Sequence, residues 1–306
     1  MKNDDLVTVV IPTYHRPDRI SRAVLSVLMQ TYQPIEMIVV DDNGKGTSFA
    51  ESTKSALEQY ICKHQLIYIC NNKNSGGSYS RNVGLNIASG KYISFLDDDD
   101  EIAPSKIEKQ VNLLSKLDNS YSACYTLYHK ILKNGDFYRS RERVSGDVYK
   151  YALSKSIYVG SGSNLLVKTD IAKSIGGYDV TFPRNQDIEF LVRILRGHKL
   201  AFVDEDLLTI HYEIRETKRS YEYMDSVYQH YLDVFNSEIN NLSTQDKNNV
   251  YCILGLERAK NALANHHFSD AVIQLKGNHI GLNAQLKYLL YLINRIVRKE
   301  SYGFKL

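Results

Sequence analysis

The 306-residue chain has no tryptophan, five prolines, four cysteines and no long hydrophobic run. Each shortage excludes something. Cys62, Cys70, Cys124 and Cys252 stand far apart, with no Cys-x-x-Cys pair and no Cys/His cluster at zinc spacing. The fold should therefore need neither disulfides nor structural zinc, and it suits a reducing cytosol. No stretch of ~18 apolar residues is there to span a bilayer. The amino terminus, MKNDDLVTVV, passes from charged residues straight into a strand pattern, without the apolar stretch of a signal peptide. A cytoplasmic location is expected, with peripheral attachment at the inner face of the membrane as a variant of it. A formal net charge of +3 is too small to make nucleic acid a partner. What the chain does have, 43% hydrophobic side chains, can bury one large core, or a large and a small one.

The first hundred residues alternate short apolar runs with amphipathic stretches, as βαβ units in a mostly parallel sheet do. Residues 6–11, 37–40, 66–69 and 92–96 read as strands. Pro17 opens a helix with Ile20, Val24, Val27 and Leu28 at helical spacing, and a second helix fills 78–88 between glycine breaks. Residues 121–212 are mixed, with strands at 123–132, 164–167 and 207–210, a helix at 187–196, and a turn or mobile loop at Gly160-Ser161-Gly162-Ser163. After Arg215 the pattern is helical, and 254–275 resembles a single helical hairpin. The expected architecture is α/β: a Rossmann-like, mostly parallel sheet flanked by helices, with a helical C-terminal segment. A catalytic domain over 1–215, split near residue 100 into nucleotide-binding and acceptor-binding halves, precedes a helical region over 216–306.

Three strands end in polar or acidic residues, and in an open α/β sheet ligands bind outside the carboxyl ends of the strands. Asp97, Asp98, Asp99 and Asp100 directly follow an apolar strand. A bare run of carboxylates is usually a solvated loop or cap. One anchored to a buried strand is held rigidly, and a divalent cation, Mn²⁺ or Mg²⁺, would relieve its repulsion and bridge the phosphates of a diphosphate leaving group. Asp41-Asp42-Asn43 is a second acidic strand end, either a turn or a carboxylate facing a base or ribose. Pro12-Thr13-Tyr14 ends the first strand beside it and offers a surface to a base.

These pieces together resemble the large family 2 of inverting glycosyltransferases, with the GT-A fold. The matching residues are Val9 to Tyr14, Val39 to Asp42, Ser80-Arg81-Asn82-Val83-Gly84-Leu85, Gly90 to Asp100, and Ile175-Gly176-Gly177-Tyr178-Asp179 followed by Gln186-Asp187. The resemblance covers about the first 210 residues. It implies that Pro12, Thr13, Asp41 and Asp42 hold the nucleotide base and that Arg81, otherwise read as an exposed helix arginine, approaches the diphosphate. It sets Asp97 and Asp98 toward the nucleotide and Asp99 on the metal, with Asp98 or Asp100 sharing that role because the fourth aspartate blurs the register. Asp187 matches the catalytic base, although a helix-capping aspartate would be expected there in any case. The family's usual Glu-Asp pair is Gln186-Asp187 here, which removes a neighbouring carboxylate and some of the base's basicity. His211 stands where some relatives place a metal or phosphate ligand, and a lone histidine is otherwise structural. The processive members' Gln-x-x-Arg-Trp element cannot exist without tryptophan.

The implied activity is transfer of a single hexosyl or N-acetylhexosaminyl unit, with inversion. The donor would be a nucleotide diphosphate sugar, a UDP-sugar by family frequency, and the acceptor a glycan or lipid-linked hydroxyl in surface polysaccharide biosynthesis. The alternative is a non-catalytic sugar-nucleotide-binding or scaffold protein. A glycoside hydrolase would have no use for the nucleotide-binding strand ends, and a nucleotidyltransferase would carry a glycine-rich phosphate loop after strand one. Near the C-terminal end, Leu282, Leu286, Leu289, Ile293 and Ile296 form an apolar stripe beside Lys287, Arg295, Arg298 and Lys299. Such a helix either packs on the catalytic domain or a second subunit of a homo-oligomer, or it lies on an anionic membrane with Tyr288 and Tyr291 at the interface.

Overall fold

The computed structural model describes residues 5–212 and 220–306. The boundary expected at Arg215 and the first four residues of the amino-terminal reading lie outside these. The chain begins β1 (Val7–Thr13), α1 (Ile20–Leu28), β2 (Ile35–Asp41), α2 (Ser48–Cys62), β3 (Ile67–Cys70), α3 (Gly77–Ile87) and β4 (Tyr92–Phe95). It continues through β5 (Asp100–Ile102), α4 (Lys106–Leu114), β6 (Tyr121–Leu132), β7 (Phe137–Ser140), α5 (Tyr149–Leu153), β8 (Leu166–Lys168) and α6 (Thr169–Ser174). Then come α7 (Gln186–Ile194), β9 (Lys199–Tyr212), α8 (Tyr221–Val234), α9 (Asn236–Asn240), α10 (Thr244–Ala264), α11 (Phe268–Gly277), α12 (Leu282–Arg298) and β10 (Glu300–Ser301).

All these strands join one sheet in the order β10-β7-β6-β8-β4-β1-β2-β3, with β9 bridging β6 and β5. Strands β3, β2, β1 and β4 are parallel, and β8 runs antiparallel to β4. The change of direction therefore falls beside the acidic run that leaves β4, which is where an open sheet forms its crevice. Strand β1 is buried along its whole length because it has a core on each face. Val7, Val9 and Ile11 pack with Val24, Val27, Ile107 and Val111 of α1 and α4. Val10 faces the opposite layer with Leu85 of α3 and Phe190 of α7. Burial on both faces is why these strands read as continuous apolar runs rather than alternating ones.

The glycine of the Ser80–Leu85 motif serves this packing. A Cβ on Gly84 would lie 2.4 Å from Val10 Cγ1, so α3 can approach β1 only without a side chain there. Gly84→Ala is expected to lower stability by about 1–3 kcal/mol through overpacking, seen as a reduced urea midpoint with an unchanged slope.

The helical region is not detached from the sheet. Tyr228, Tyr231, Phe235, Ile239, Val250 and Leu254 share the core of α7 and β6, and α10 with α11 forms the expected hairpin. Helix α12 corrects the sequence reading. Tyr288 and Tyr291 are buried against Phe304, with the Tyr288 hydroxyl donating to Glu257 Oε1 at 2.5 Å and the Tyr291 hydroxyl to the Tyr302 carbonyl at 2.8 Å. They are the inward face of the helix, not an interfacial belt. The leucine and isoleucine stripe does not pack on the catalytic domain: Leu282, Leu286, Leu289, Ile293 and Ile296 are all exposed.

Candidate active site

The ends of β1, β2 and β4 lie level because their register is fixed by ladder bonds: Thr13 pairs with Asp41, and the Leu96 amide donates to the Val10 carbonyl. They open on a cleft of about 350 Å³ lined by Pro12, Thr13, Tyr14, Arg16, Asp42, Gly77, Ser80, Arg81, Asp97, Asp98 and Asp99. Eight of the eleven residues singled out in the sequence thus share one cleft. Asp41, Asp187 and His211 do not line it.

The four aspartates have different surroundings. Asp98 is buried, accepting from the Thr13 hydroxyl and from Arg16, each at 2.7 Å. Asp100 turns inward and accepts from the hydroxyls of Ser163 at 2.6 Å and Ser161 at 3.1 Å. Asp97 and Asp99 face the cleft. Asp97 pairs with Arg81 at 2.5 Å and Asp99 with Arg16 at 2.7 Å. Burial raises Asp98, Asp99 and Asp100, and the neighbouring carboxylates add to it; Asp99 is pushed up to about 6. The set is hard oxygen with surplus negative charge, which fits a divalent cation. No three histidine, cysteine or carboxylate side chains converge as a complete cage among the described residues. An ion held by Asp97 and Asp99 would therefore take its remaining ligands from phosphate oxygens and water.

Arg81 is not the exposed helix arginine its sequence position suggests. Only 13% of its side chain is accessible. Burial opposes its charge, but the Asp97 carboxylate, together with Tyr178 and Asp187, more than offsets this. Its Nη1 donates to Gln186 Oε1 at 3.0 Å, while its buried Nε has no hydrogen-bond partner among the described residues. The Gln186 contact ties the cleft to the start of α7 and hence to Asp187, whose Cβ is 3.9 Å from the point where a Cβ on Gly162 would sit. Burial raises the Asp187 pKa, the Asp97 charge raises it further, and Arg81 opposes. The basicity that a glutamate at 186 would have lent comes instead from these two sources.

Asp41 and Asp42 are both committed to structure. Asp41 accepts from the Tyr68 hydroxyl at 2.6 Å and from the Asn43 amide. Asp42 reaches the cleft while accepting from Asn71 at 2.7 Å and from the amides of Ser75 and Gly76, the turn that enters α3. At the rim, half-exposed Tyr14 stacks on His15 at 3.8 Å and His15 on Phe49 at 4.1 Å, a flat platform beside Asp42. His211 bonds Glu101 at 2.6 Å, and Glu101 also pairs with Arg22, which in turn donates to the Asp99 carbonyl at 2.8 Å, so the His211 ring is engaged by β5.

Sequence reasoning missed Arg16, the counter-charge of Asp98 and Asp99, and the serines that hold Asp100. Arg16 follows the Pro12-Thr13-Tyr14 strand end by two residues and is the first cation after it, which was a usable signal. Ser161 and Ser163 come from 61 and 63 residues away, and no local pattern links them to the acidic run.

A mostly parallel sheet whose strand ends gather a diphosphate-sized cleft, paired arginines and an acidic run defines a GT-A type glycosyltransferase. The chain belongs to glycosyl transferase family 2, whose sequence profile matches residues 8–176. Among its relatives, an uncharacterized glycosyltransferase of Methanocaldococcus jannaschii is 28% identical over 231 residues, covering 74% of this chain and 77% of that protein. A putative colanic acid biosynthesis glycosyl transferase of Escherichia coli, WcaA, is 37% identical over 110 residues, 35% of this chain and 37% of that one. Matches to glycosyltransferases of Rickettsia bellii and Rickettsia typhi, each 31% identical, span 28% and 63% of those proteins. The fold is shared with residues 1–349 of TarS from S. aureus, with a TM-score of 0.61 at 16% identity over 98% of this chain and 93% of that one. It is also shared with the mannosyltransferase PcManGT of Pyrobaculum calidifontis, with a TM-score of 0.58 at 18% identity over 96% of this chain and 81% of that one.

Proposed function

We propose that this glycosyltransferase moves one hexosyl or N-acetylhexosaminyl unit, with inversion, from a UDP-sugar to a hydroxyl of a glycan or lipid-linked acceptor in the cytoplasm, for surface polysaccharide. The observation that carries the reading is the juxtaposition of the Asp97–Arg81 pair with Asp187 across Gln186. It sets a cationic group for a leaving diphosphate beside a carboxylate with a raised pKa. Solved relatives support a nucleotide-sugar donor: TarS has been crystallised with UDP-GlcNAc, and PcManGT with GDP-Man and Mn²⁺. WcaA supports the polysaccharide role.

In this reading the base stacks on the Tyr14 and His15 platform beside Pro12, Thr13 and Asp42, with Asp41 bracing that strand end, Asp98 holding Thr13 and Arg16 in place beneath the nucleotide and Asp97 toward the ribose. Arg81, which lines the cleft and is oriented by Asp97, holds the diphosphate. Asp187 takes the proton from the acceptor hydroxyl as that oxygen attacks the anomeric carbon from the face opposite the diphosphate, so one displacement inverts the centre. Asp97 and Asp99 would hold Mn²⁺ or Mg²⁺, which when bound supplies charge neutralisation for the diphosphate. His211 would join that shell only on leaving Glu101. The test is a panel of sugar nucleotides with Mn²⁺, read by release of nucleoside diphosphate. UDP from one UDP-sugar, slow alone and faster with acceptor, is expected; no release from any donor would leave a binding or scaffold protein.

A further inference from the structure

Helix α12 ends at a groove of about 830 Å³, lined by Gly135, Asp136, Phe137, Arg139, Ser140, Arg141, Arg143, Arg298, Lys299 and Glu300. Five cations stand there against two carboxylates. Lys299 is taken by Asp136, Arg141 by Glu300 and Arg143 by Asp204 outside the groove. Arg139 lies over the Phe137 ring at 5.0 Å, and neither it nor Arg298 has a carboxylate partner among the described residues. Helix α12 has no acidic residue from end to end.

On that helix Leu282, Leu286, Leu289, Leu290, Ile293, Ile296 and Val297 are between 46% and 82% exposed. The opposite face is already occupied by the tyrosines and Phe304. This is a finished helix with a second apolar face, and a cation-rich groove lies at its C-terminal end. We propose that α12 and the β7 groove form a docking surface for an anionic lipid bilayer, the stripe entering the interface while Arg139 and Arg298 take lipid phosphates. The charge decides between a bilayer and a second copy of the chain. A symmetric pair would cover each stripe but leave each groove's surplus cations without a counter-charge, whereas an anionic surface satisfies both at once. Lipid-linked acceptors would be presented at the same surface. The proposal does not depend on the donor chemistry.

The test is sedimentation of the full chain with phosphatidylglycerol-containing vesicles and with pure phosphatidylcholine vesicles, alongside its mass in solution. Point variants are preferable to truncation because β10 follows α12 into the sheet. Binding to the anionic vesicles, weakened by high salt, is expected. Arg139→Ser with Arg298→Ser should reduce it by about 25-fold, since each basic residue near such a surface is worth about fivefold. Leu286→Ser with Leu289→Ser and Ile293→Ser should abolish it. All these side chains are exposed, so circular dichroism and donor hydrolysis should match wild type in both variants. A chain that stays in the supernatant, binds equally without the two arginines, or forms a dimer that the leucine variant dissociates would overturn the proposal.

Discussion

Asp187→Asn is expected to lose turnover by about 10²- to 10⁴-fold, the usual worth of a general base, while donor affinity stays within a few-fold. The asymmetry follows from the proposed roles: Arg81 and the strand-end aspartates would hold the donor, and Asp187, beyond Gln186, would act on the acceptor. Asparagine keeps the size and removes the basic oxygen. Because burial and the Asp97 charge raise the wild-type pKa, the acid limb of the rate profile should lie above the usual carboxylate range, with rate rising as pH increases through it. Calorimetric donor binding together with nucleoside diphosphate release checks both parts. Turnover near wild type in the variant would assign the base elsewhere.

Asp99→Asn should abolish transfer and yet make the protein more stable at neutral pH. In the fold Asp99 is raised from its ordinary 3.8 to about 6, so the folded state holds this proton more tightly than the unfolded chain. The stability linked to it is full below pH ~4 and lost as pH rises through ~6. Asparagine has nothing to lose. The variant's advantage in melting temperature should therefore grow between pH ~4 and ~7 and then level off, on the order of 2 kcal/mol, less whatever Arg16 loses with its partner. Mn²⁺ with UDP should raise the wild-type melting temperature and not the variant's, and EDTA should remove wild-type activity. Undiminished activity in EDTA, or a fully active variant, would take the metal out of the mechanism.

The cleft was legible because the strands beneath it are buried on both faces. Strands β1, β2 and β4 read as apolar runs stopped by polar residues, and their stops are the site. What was not legible depends on partners remote in sequence. Nothing near Asp98 or Asp100 says that their carboxylates turn inward; Thr13, Arg16 and Ser163 decide it, leaving Asp97 and Asp99 for the cleft. Strands β5 and β10 are two or three residues long and polar, too short for any alternation to show. Helix α12 misled for a different reason. It has two apolar faces, one aliphatic and one of tyrosines, and helical periodicity reports that a face exists without saying which is inside. Tyrosine prevailed because its hydroxyls reach Glu257 and the Tyr302 carbonyl, which an aliphatic side chain could not satisfy.

The pairing of Glu300 with Arg139 and of Ser301 with Ser140 joins segments about 160 residues apart. On its β10 side, strand β7 offers an open hydrogen-bonding edge until that late segment docks, and the buried Glu142 waits for the Gly303 amide and Lys305. A chain emerging from the ribosome thus displays a usable strand edge through the whole synthesis of α8 to α12. Open edges invite pairing with other chains, and contacts this distant form slowly. The yield of soluble protein should consequently depend more on how promptly residues 300–305 dock than on the robustness of the first hundred residues.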